Sequence, residues 1–438
     1  MHKLTLILII IFCLFLVLGC KKQDETTSEE AEKLSELDKA IESEMESSFR
    51  FFYEKVNSNR NSPGYGLIND RAPGNPTLAS IASVGFGLTA IPIGIEKGWI
   101  NKEEGEERVL GTLETLEDLY HKNGFYHHFL NIQNGIRAGS SEISIIDTGL
   151  LIAGALFAGE YFGGIIKEKV ELLYQRINWN WFVDENRNMF YMSYDPDSKK
   201  FTGHWDFYAE QLILYVLAAG SPNPEYRIDK NIYYSFKRRK ASYGGGEKFI
   251  NSWFGSIFTY QYSHAWVDFR NIIDEKGVNW FENSVNATIA NRQYAIDMSE
   301  VFKTFGENSW GMTASDGPNG YSGFYGSKPS GYTDDAHKND GTIPPSGAIG
   351  SIVFLENKVK EVISYFETIE GLKGEYGYKD AYNFEEDTPW ISLDVIGINK
   401  GITLLMLQNY QNEFVWDTFM KNEFIQNGLD NLGFEETE

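Results

Sequence analysis

The chain has 438 residues and a formal net charge of −23, with 42% hydrophobic and 15% aromatic residues. That is apolar material for a large core needing no disulfide staples, and the acidic balance repels phosphate backbones, so nucleic acid is excluded as a partner. The only cysteines, Cys13 and Cys20, stand near the N-terminus, which rules out thiol chemistry and thiolate metal sites in the folded part.

Residues 1–19 carry Lys3 and then an apolar run from Leu4 to Leu18, predicting a secretory leader. Val17-Leu18-Gly19-Cys20 resembles a bacterial lipobox, and the resemblance implies cleavage before Cys20 and lipidation there. A plain N-terminal membrane anchor is the alternative. Residues 20–33 are charged and nearly free of apolar side chains, so they predict a flexible tether. No Asp follows Cys20, and the expectation is an outer-membrane lipoprotein held through its lipid, facing the periplasm or the surface.

Residues 34–438 show no Pro/Ser/Gly-rich linker after residue 60 and read as one domain. Leu34, Leu37, Ile41, Met45, Phe49 and Phe52 recur at helical spacing. Further helices are predicted over Leu78–Ile95 (bent or ended near Pro92), Glu103–Tyr120, Ile143–Phe162, Ile165–Ile177 and Trp205–Ala219. Ser252–Tyr260 and Trp266–Ile273 look helical, and Asn283–Thr304 more clearly so. After a Gly/Pro/Asp/Tyr-rich loop over Asn308–Ile343, a lid or rim candidate, helices return at Gly347–Leu355, Asn357–Glu370, Ile391–Tyr410 and Glu413–Asn427. Aromatic turns interrupt this series at Gly124–Leu130, Asn188–Asp195 and Gly374–Asn383. Nearly all-apolar helices tend to alternate with amphipathic ones, as an inner and an outer ring would require. The fold class read from this pattern is all-α, an (α/α)6 toroid, with a helical solenoid as the competing architecture.

Acids in apolar or aromatic stretches are the candidates for chemistry, because a buried carboxylate is costly unless paired or wet. They are Glu142 and Asp147 at the start of an apolar helix, Asp206 and Glu210 predicted on one helix face, His264 and Asp268 predicted on another, and Asp394 entering a further apolar helix. First-turn acids are also favoured by the helix dipole, and His264–Asp268 could equally be a structural ion pair. No third ligand completes a metal site around that pair, and neither metal nor cofactor is expected. Trp205, Tyr208, Trp266, Trp310, Tyr321 and Trp390 flank acids and suit stacking against sugar faces. Two opposed carboxylates in an aromatic cleft are the minimum for glycoside hydrolysis. Glu210, read as mid-helix among apolar residues, suits the proton donor. Asp394, nearer a helix start, suits the base.

The segments YGLIND-R (Tyr65–Arg71), Ser80–Ile100, GFYHHFL, SEISIIDTGLLIAGAL, QYSHAWVDFR, WGMTASDGPNGY (Trp310–Tyr321), DGTIPPSGAIGS (Asp340–Ser351) and LQNYQ together resemble the glycoamylase-like bacterial proteins. Within them the chain looks like glycoside hydrolase family 144, the endo-β-1,2-glucanases. The likeness spans roughly Phe49 to Asn422, and LQNYQ departs where the family more often has Glu before Asn-Tyr. It implies an (α/α)6 barrel and endo-acting, inverting hydrolysis of β-1,2-glucan to sophorooligosaccharides. On matching positions it implies Glu210, Asp394 and Asp147 as catalytic, with Arg71, Glu142, Asp316 and Asp340 joining His264, Asp268 and the named aromatics in the cleft. The expected partner is a β-glucan and the expected state a monomer. Competing readings are a polysaccharide lyase, disfavoured by the scarcity of basic groups, and a non-catalytic glycan-binding lipoprotein.

Overall fold

The structure, a computed structural model, describes residues 35–333 and 337–437. The leader, the lipidation site Cys20 and the tether lie outside the described residues. The chain divides into two compact units, Met1–Ser43 and Glu44–Glu438. Residues 35–43 of the first unit are helical and open helix α1, which spans 35–54.

Helices dominate residues 44–438. After α1 come α2 (Ile81–Glu96), α3 (Lys102–Asp118), α4 (Ile145–Phe162), α5 (Gly164–Gln175), α6 (Leu212–Gly220), the short α7 (Lys230–Tyr233) and α8 (Trp280–Asp297). The C-terminal part adds α9 (Pro345–Ile349), α10 (Glu356–Phe366), α11 (Gly397–Asn412), α12 (Phe414–Phe419) and α13 (Glu423–Leu432). The predicted alternation is visible as burial. Helices α2, α4, α6 and α11 are buried over most of their surface, whereas α3, α5, α10 and α13 bury one stripe. Such a stripe is what an outer helix needs and an all-round apolar surface what an inner one needs. α2 packs on α4, α11 and α3, and α4 also meets α5 and α6. Backbones approach closely where α2 meets α4: a Cβ added to Gly154 would lie 1.9 Å from the Gly85 carbonyl oxygen.

Short antiparallel strands, absent from the all-α expectation, tie the lead-ins of the buried helices together. Leu78–Ser80, before α2, pairs with Phe129–Asn131. Ile143–Ser144, before α4, joins a four-stranded sheet with Met189–Asp195, Val183–Asp184 and Lys200–His204. Val395–Ile396, before α11, pairs with Arg71–Ala72, and Gly397 donates its N–H to the Asp70 carbonyl at 2.7 Å.

Several predicted boundaries move for the same reason. Residues 205–211 are extended and turn, not helix, with Phe207 and Tyr208 bridging Lys237 and Ser252. Thus Asp206 and Glu210 share no helix face. Residues 391–396 are strand and bend, and α11 begins only at Gly397. Asn188–Asp195 contains a strand, and Trp266–Ile273 is not helical. Pro92 neither ends nor divides α2, which runs on to Glu96. At Glu413 the backbone turns left-handed (φ 58°) and separates α11 from α12, while the helix predicted over Glu413–Asn427 is interrupted at residues 420–422, between α12 and α13.

Candidate active site

The lead-ins of α2, α4, α6 and α11 bring acids to one end of the buried helices. Asp70 precedes α2, Asp147 is in the first turn of α4, Glu210 stands two residues before α6, and Asp394 three before α11. Of these, Asp147 stands inside a first turn, where the positive end of the α4 dipole favours its negative charge.

Arg71 is the hub. Its guanidinium donates to Asp316 at 3.0 Å, to Asp70 at 3.3 Å and to Asp394 at 3.4 Å. Asp394 also accepts the Gly74 N–H at 2.8 Å, and a Cβ at Gly74 would fall 2.5 Å from its Oδ2, so only glycine leaves that carboxylate in place. The antiparallel register Arg71↔Ile396 sets this contact. Asp316 is fixed in turn by Ser392, whose hydroxyl donates at 3.2 Å.

His128 is a second cation among acids, with Nδ1 3.0 Å from Glu142 and Nε2 3.4 Å from Asp147. Burial lowers its pKa, but the charges of Asp147, Glu142 and Asp70 outweigh this and push it up to about 9. Its hydrogen bond in turn holds Glu142 below the usual carboxylate range.

Glu210 stands apart from both cations. Its turn is pinned by the Ser263 hydroxyl, which donates to the Glu210 carbonyl at 2.6 Å and accepts the Ile213 N–H at 3.0 Å. The residue is half-buried, but its carboxyl group is enclosed; burial first, and then the nearby charge of Asp147, pushes its pKa up to about 7. It opens on a cavity of about 640 Å³ walled by Trp205, Phe207, Tyr208, Trp253, Tyr321 and Tyr332. Trp253 and Tyr332 lie nearly parallel with centroids 5.9 Å apart, and Phe207 packs against both. The hydroxyl of the half-exposed Tyr321 reaches the charges of Asp380, Asp70, Arg71 and Asp316, so this ring joins the cavity to the acid cluster. The buried Tyr262 hydroxyl, which donates to Asn399 at 3.4 Å, also feels the charges of Glu210, Asp380 and Asp147. A second cavity, of about 720 Å³, meets the same cluster at Glu142 and Phe129.

The structure therefore brings together Arg71, Glu142, Asp147, Trp205, Tyr208, Glu210, Asp316, Tyr321 and Asp394. It leaves others out. His264 is buried against Ser284 (Nε2 to Oγ 2.9 Å), and burial pushes its pKa down to about 3, so it is neutral core. Asp268 does not pair with His264. It binds Arg270, which also binds Glu413 just beyond α11; a helix of 16 residues carries that group about 24 Å along the axis from the acid end. Trp266 is fully buried with its N–H on Thr89, and Trp310 is equally buried. Trp390 is half-buried in a strand paired with Tyr382–Asn383, and Asp340 accepts the Tyr325 hydroxyl at 2.8 Å. Asp70, His128, Trp253, Tyr262, Tyr332 and Asp380 belong to the site but were not among the sequence candidates. Asp70 and His128 lie inside YGLIND and GFYHHFL, and Asp380 inside GEYGYKDAYN, so an acid or imidazole between aromatics was the available signal. Among the described residues no group of three or more His, Cys, Asp or Glu is arranged to hold a metal ion.

A family model named Glycoamylase, described as "Putative glucoamylase", matches residues 202–423, about half of the chain. The chain belongs to this family. A curated relative, an exo β-1,2-glucooligosaccharide sophorohydrolase (non-reducing end) of Parabacteroides distasonis, is 26% identical over 429 residues, covering 88% of this chain. The chain spans only 57% of that relative's length. Among solved structures, a Bacteroides uniformis protein described in the family's words superposes with TM-score 0.81 at 28% identity, covering 91% of this chain and 98% of its own. An endo-β-1,2-glucanase of Chitinophaga pinensis, in complex with sophorotriose and glucose, superposes with TM-score 0.80 at 24% identity, covering 91% and 99%; at that identity the likeness is one of fold.

Proposed function

We propose that this protein is a glycoside hydrolase that cleaves β-1,2-glucan. The observation that carries the reading is the placement of Glu210, a carboxyl whose pKa is pushed up to about 7 by burial, on the wall of an aromatic cavity beside a cluster of carboxylates paired with Arg71 and His128. A protonated acid across from a charged carboxylate is the pair that hydrolysis of a glycosidic bond needs. Glu210 donates its proton to the leaving oxygen. Asp394 takes the proton of the attacking water, and Asp147 supports the site with its charge. Trp205, Trp253 and Tyr332 offer ring faces to the apolar faces of the sugars. The β-1,2 linkage comes from the relatives' names, not from the geometry.

The finer reading is endo-acting, inverting hydrolysis on an (α/α)6 toroid. Cavities reach the acid cluster from both the Glu210 side and the Glu142 side, which gives a chain room on either side of the bond. The P. distasonis relative is named as exo-acting, so product length decides between the two modes.

The test is digestion of linear β-1,2-, β-1,3-, β-1,4- and α-1,4-glucans. Product is expected from the β-1,2 polymer alone, as fragments of mixed length, with the α-anomer formed first by NMR. Glu210→Gln and Asp394→Asn are each expected to lower kcat/KM by about 10²–10⁴-fold with unchanged circular dichroism. Rates like the wild type in both variants would end the assignment.

A further inference from the structure

The cavity that meets Glu142 does not stop there. Asn134, Ile136 and Arg137 line it, and the same three residues line a neighbouring cavity of about 520 Å³ whose far wall is Tyr65, Tyr120 and His127. Each is of a size that takes a small ligand. Two large apolar side chains are uncovered along this path: Ile136, where the cavities meet, is 63% exposed, and Tyr120, on the far wall and two residues past the end of α3, is 62% exposed.

Both are held in place. The Tyr120 ring stacks on His127 at 5.7 Å and 22°, which fixes one face and leaves the other to solvent. Ile136 sits on a turn tied by its own amides: the Asn131 side chain accepts the N–H groups of Gln133 and Asn134 at 3.0 and 3.2 Å, and the Asn134 side chain accepts that of Ile136 at 3.0 Å. Gly135, at φ 67°, lets this turn lie against Leu119. Exposed apolar groups that are rigidly presented beside a cavity mark a binding surface. Glu114, Asp118, Asn134 and Arg137 supply polar partners around the rings. Flat aromatic faces rimmed by carboxylates and amides suit a neutral polyhydroxy chain. A net charge of −23 disfavours an anionic one.

We propose that Tyr120 and Ile136 form a remote glycan-binding platform, which holds the part of a glucan chain that runs out of the acid cluster past Glu142. The linkage of that chain rests on the β-1,2-glucan reading; the platform itself rests on the two joined cavities.

The test separates the two. Glu210→Gln protein is run in native gels containing β-1,2-, β-1,3- or β-1,4-glucan, alone and combined with Tyr120→Ala, Tyr120→Phe or Ile136→Ser. The polymer is expected to retard Glu210→Gln and Tyr120→Phe, and to retard Tyr120→Ala and Ile136→Ser much less. In the active protein, Tyr120→Ala is expected to raise KM for long β-1,2-glucan by roughly five- to tenfold, the loss of one stacking contact, while kcat/KM for a β-1,2 tetrasaccharide is unchanged. Equal retardation of Tyr120→Ala and its parent, or no retardation of Glu210→Gln by any glucan, overturns the proposal. If the wild type cleaves nothing yet retardation depends on Tyr120, the hydrolase reading falls and the platform stands.

Discussion

Two carboxyl groups near the centre of the site are pushed up to about 7, and they do different things. Asp380 is raised by burial and then by the charge of Asp316, but its oxygens accept the Asn399 amide and the Asp316 N–H, each at 2.7 Å. It therefore positions the Asp316 loop and has no free face for a substrate. Glu210 is raised by burial and by Asp147, and it faces the cavity. A general acid works only in its protonated form, so the raised pKa extends activity upward in pH and sets the limit. Above about pH 7, kcat/KM is expected to fall by about tenfold per pH unit. Residual activity of Glu210→Gln should lack that limb, whereas Asp380→Asn should keep it; a wild-type profile flat from pH 6 to 9 would remove Glu210 from the role of acid. Glu210, Asp147 and Asp394 were legible in sequence because an acid inside an apolar stretch needs a reason. Helical spacing misleads for His264, and an aromatic beside an acid misleads for Trp266 and Trp310, since residue type does not say which way a side chain points. Trp266 satisfies its N–H on Thr89 inside the core, as a structural tryptophan does.

At the scale of elements, the buried helices were legible because an all-apolar run of α4's length has few other places to go. The described residues contain one helix long and apolar enough to cross a membrane, Ile145–Phe162, and most of it is buried inside the protein. The lead-ins were not legible. Residues 205–211 and 391–396 mix aromatic, β-branched and acidic residues without a clear period, and two- or three-residue strands leave almost no alternation to detect. Those lead-ins are also where the candidate acids stand. What the sequence could not show is how closely α2 and α4 approach. Gly154 lies against the Gly85 carbonyl with no space for a methyl group, and the nearest atoms are backbone and cannot rotate away. Gly154→Ala is thus expected to destabilise the protein by about 1–3 kcal/mol through overpacking, despite its better helix propensity. Thermal melting compared with the wild type checks this. An unchanged melting temperature would mean that the two helices part without cost.

At the scale of the molecule, the excess of acid and the concentration of carboxylates at one end make the cleft a poor host for anions. The cations near the aromatic cavity do not offset this. Lys237 is 3.4 Å from Asp206 and lies 4.3 Å over the Phe207 ring, and Arg239 donates to the Tyr332 carbonyl. Arg71 and His128 are likewise committed to carboxylates. A neutral glucan escapes the repulsion, because its recognition rests on ring faces and short-range hydrogen bonds that salt screens little. A glucan carrying succinyl groups meets the whole field. Cleavage of neutral β-1,2-glucan is accordingly expected to change by less than about twofold between ~0.05 and ~0.5 M NaCl, a range over which the screening length shrinks severalfold. The succinylated polymer of equal length should show a KM about tenfold higher at low salt, approaching the neutral value as salt rises. A preference for the anionic polymer at low salt would mean that the cleft presents cations which the pairings described above should have neutralised.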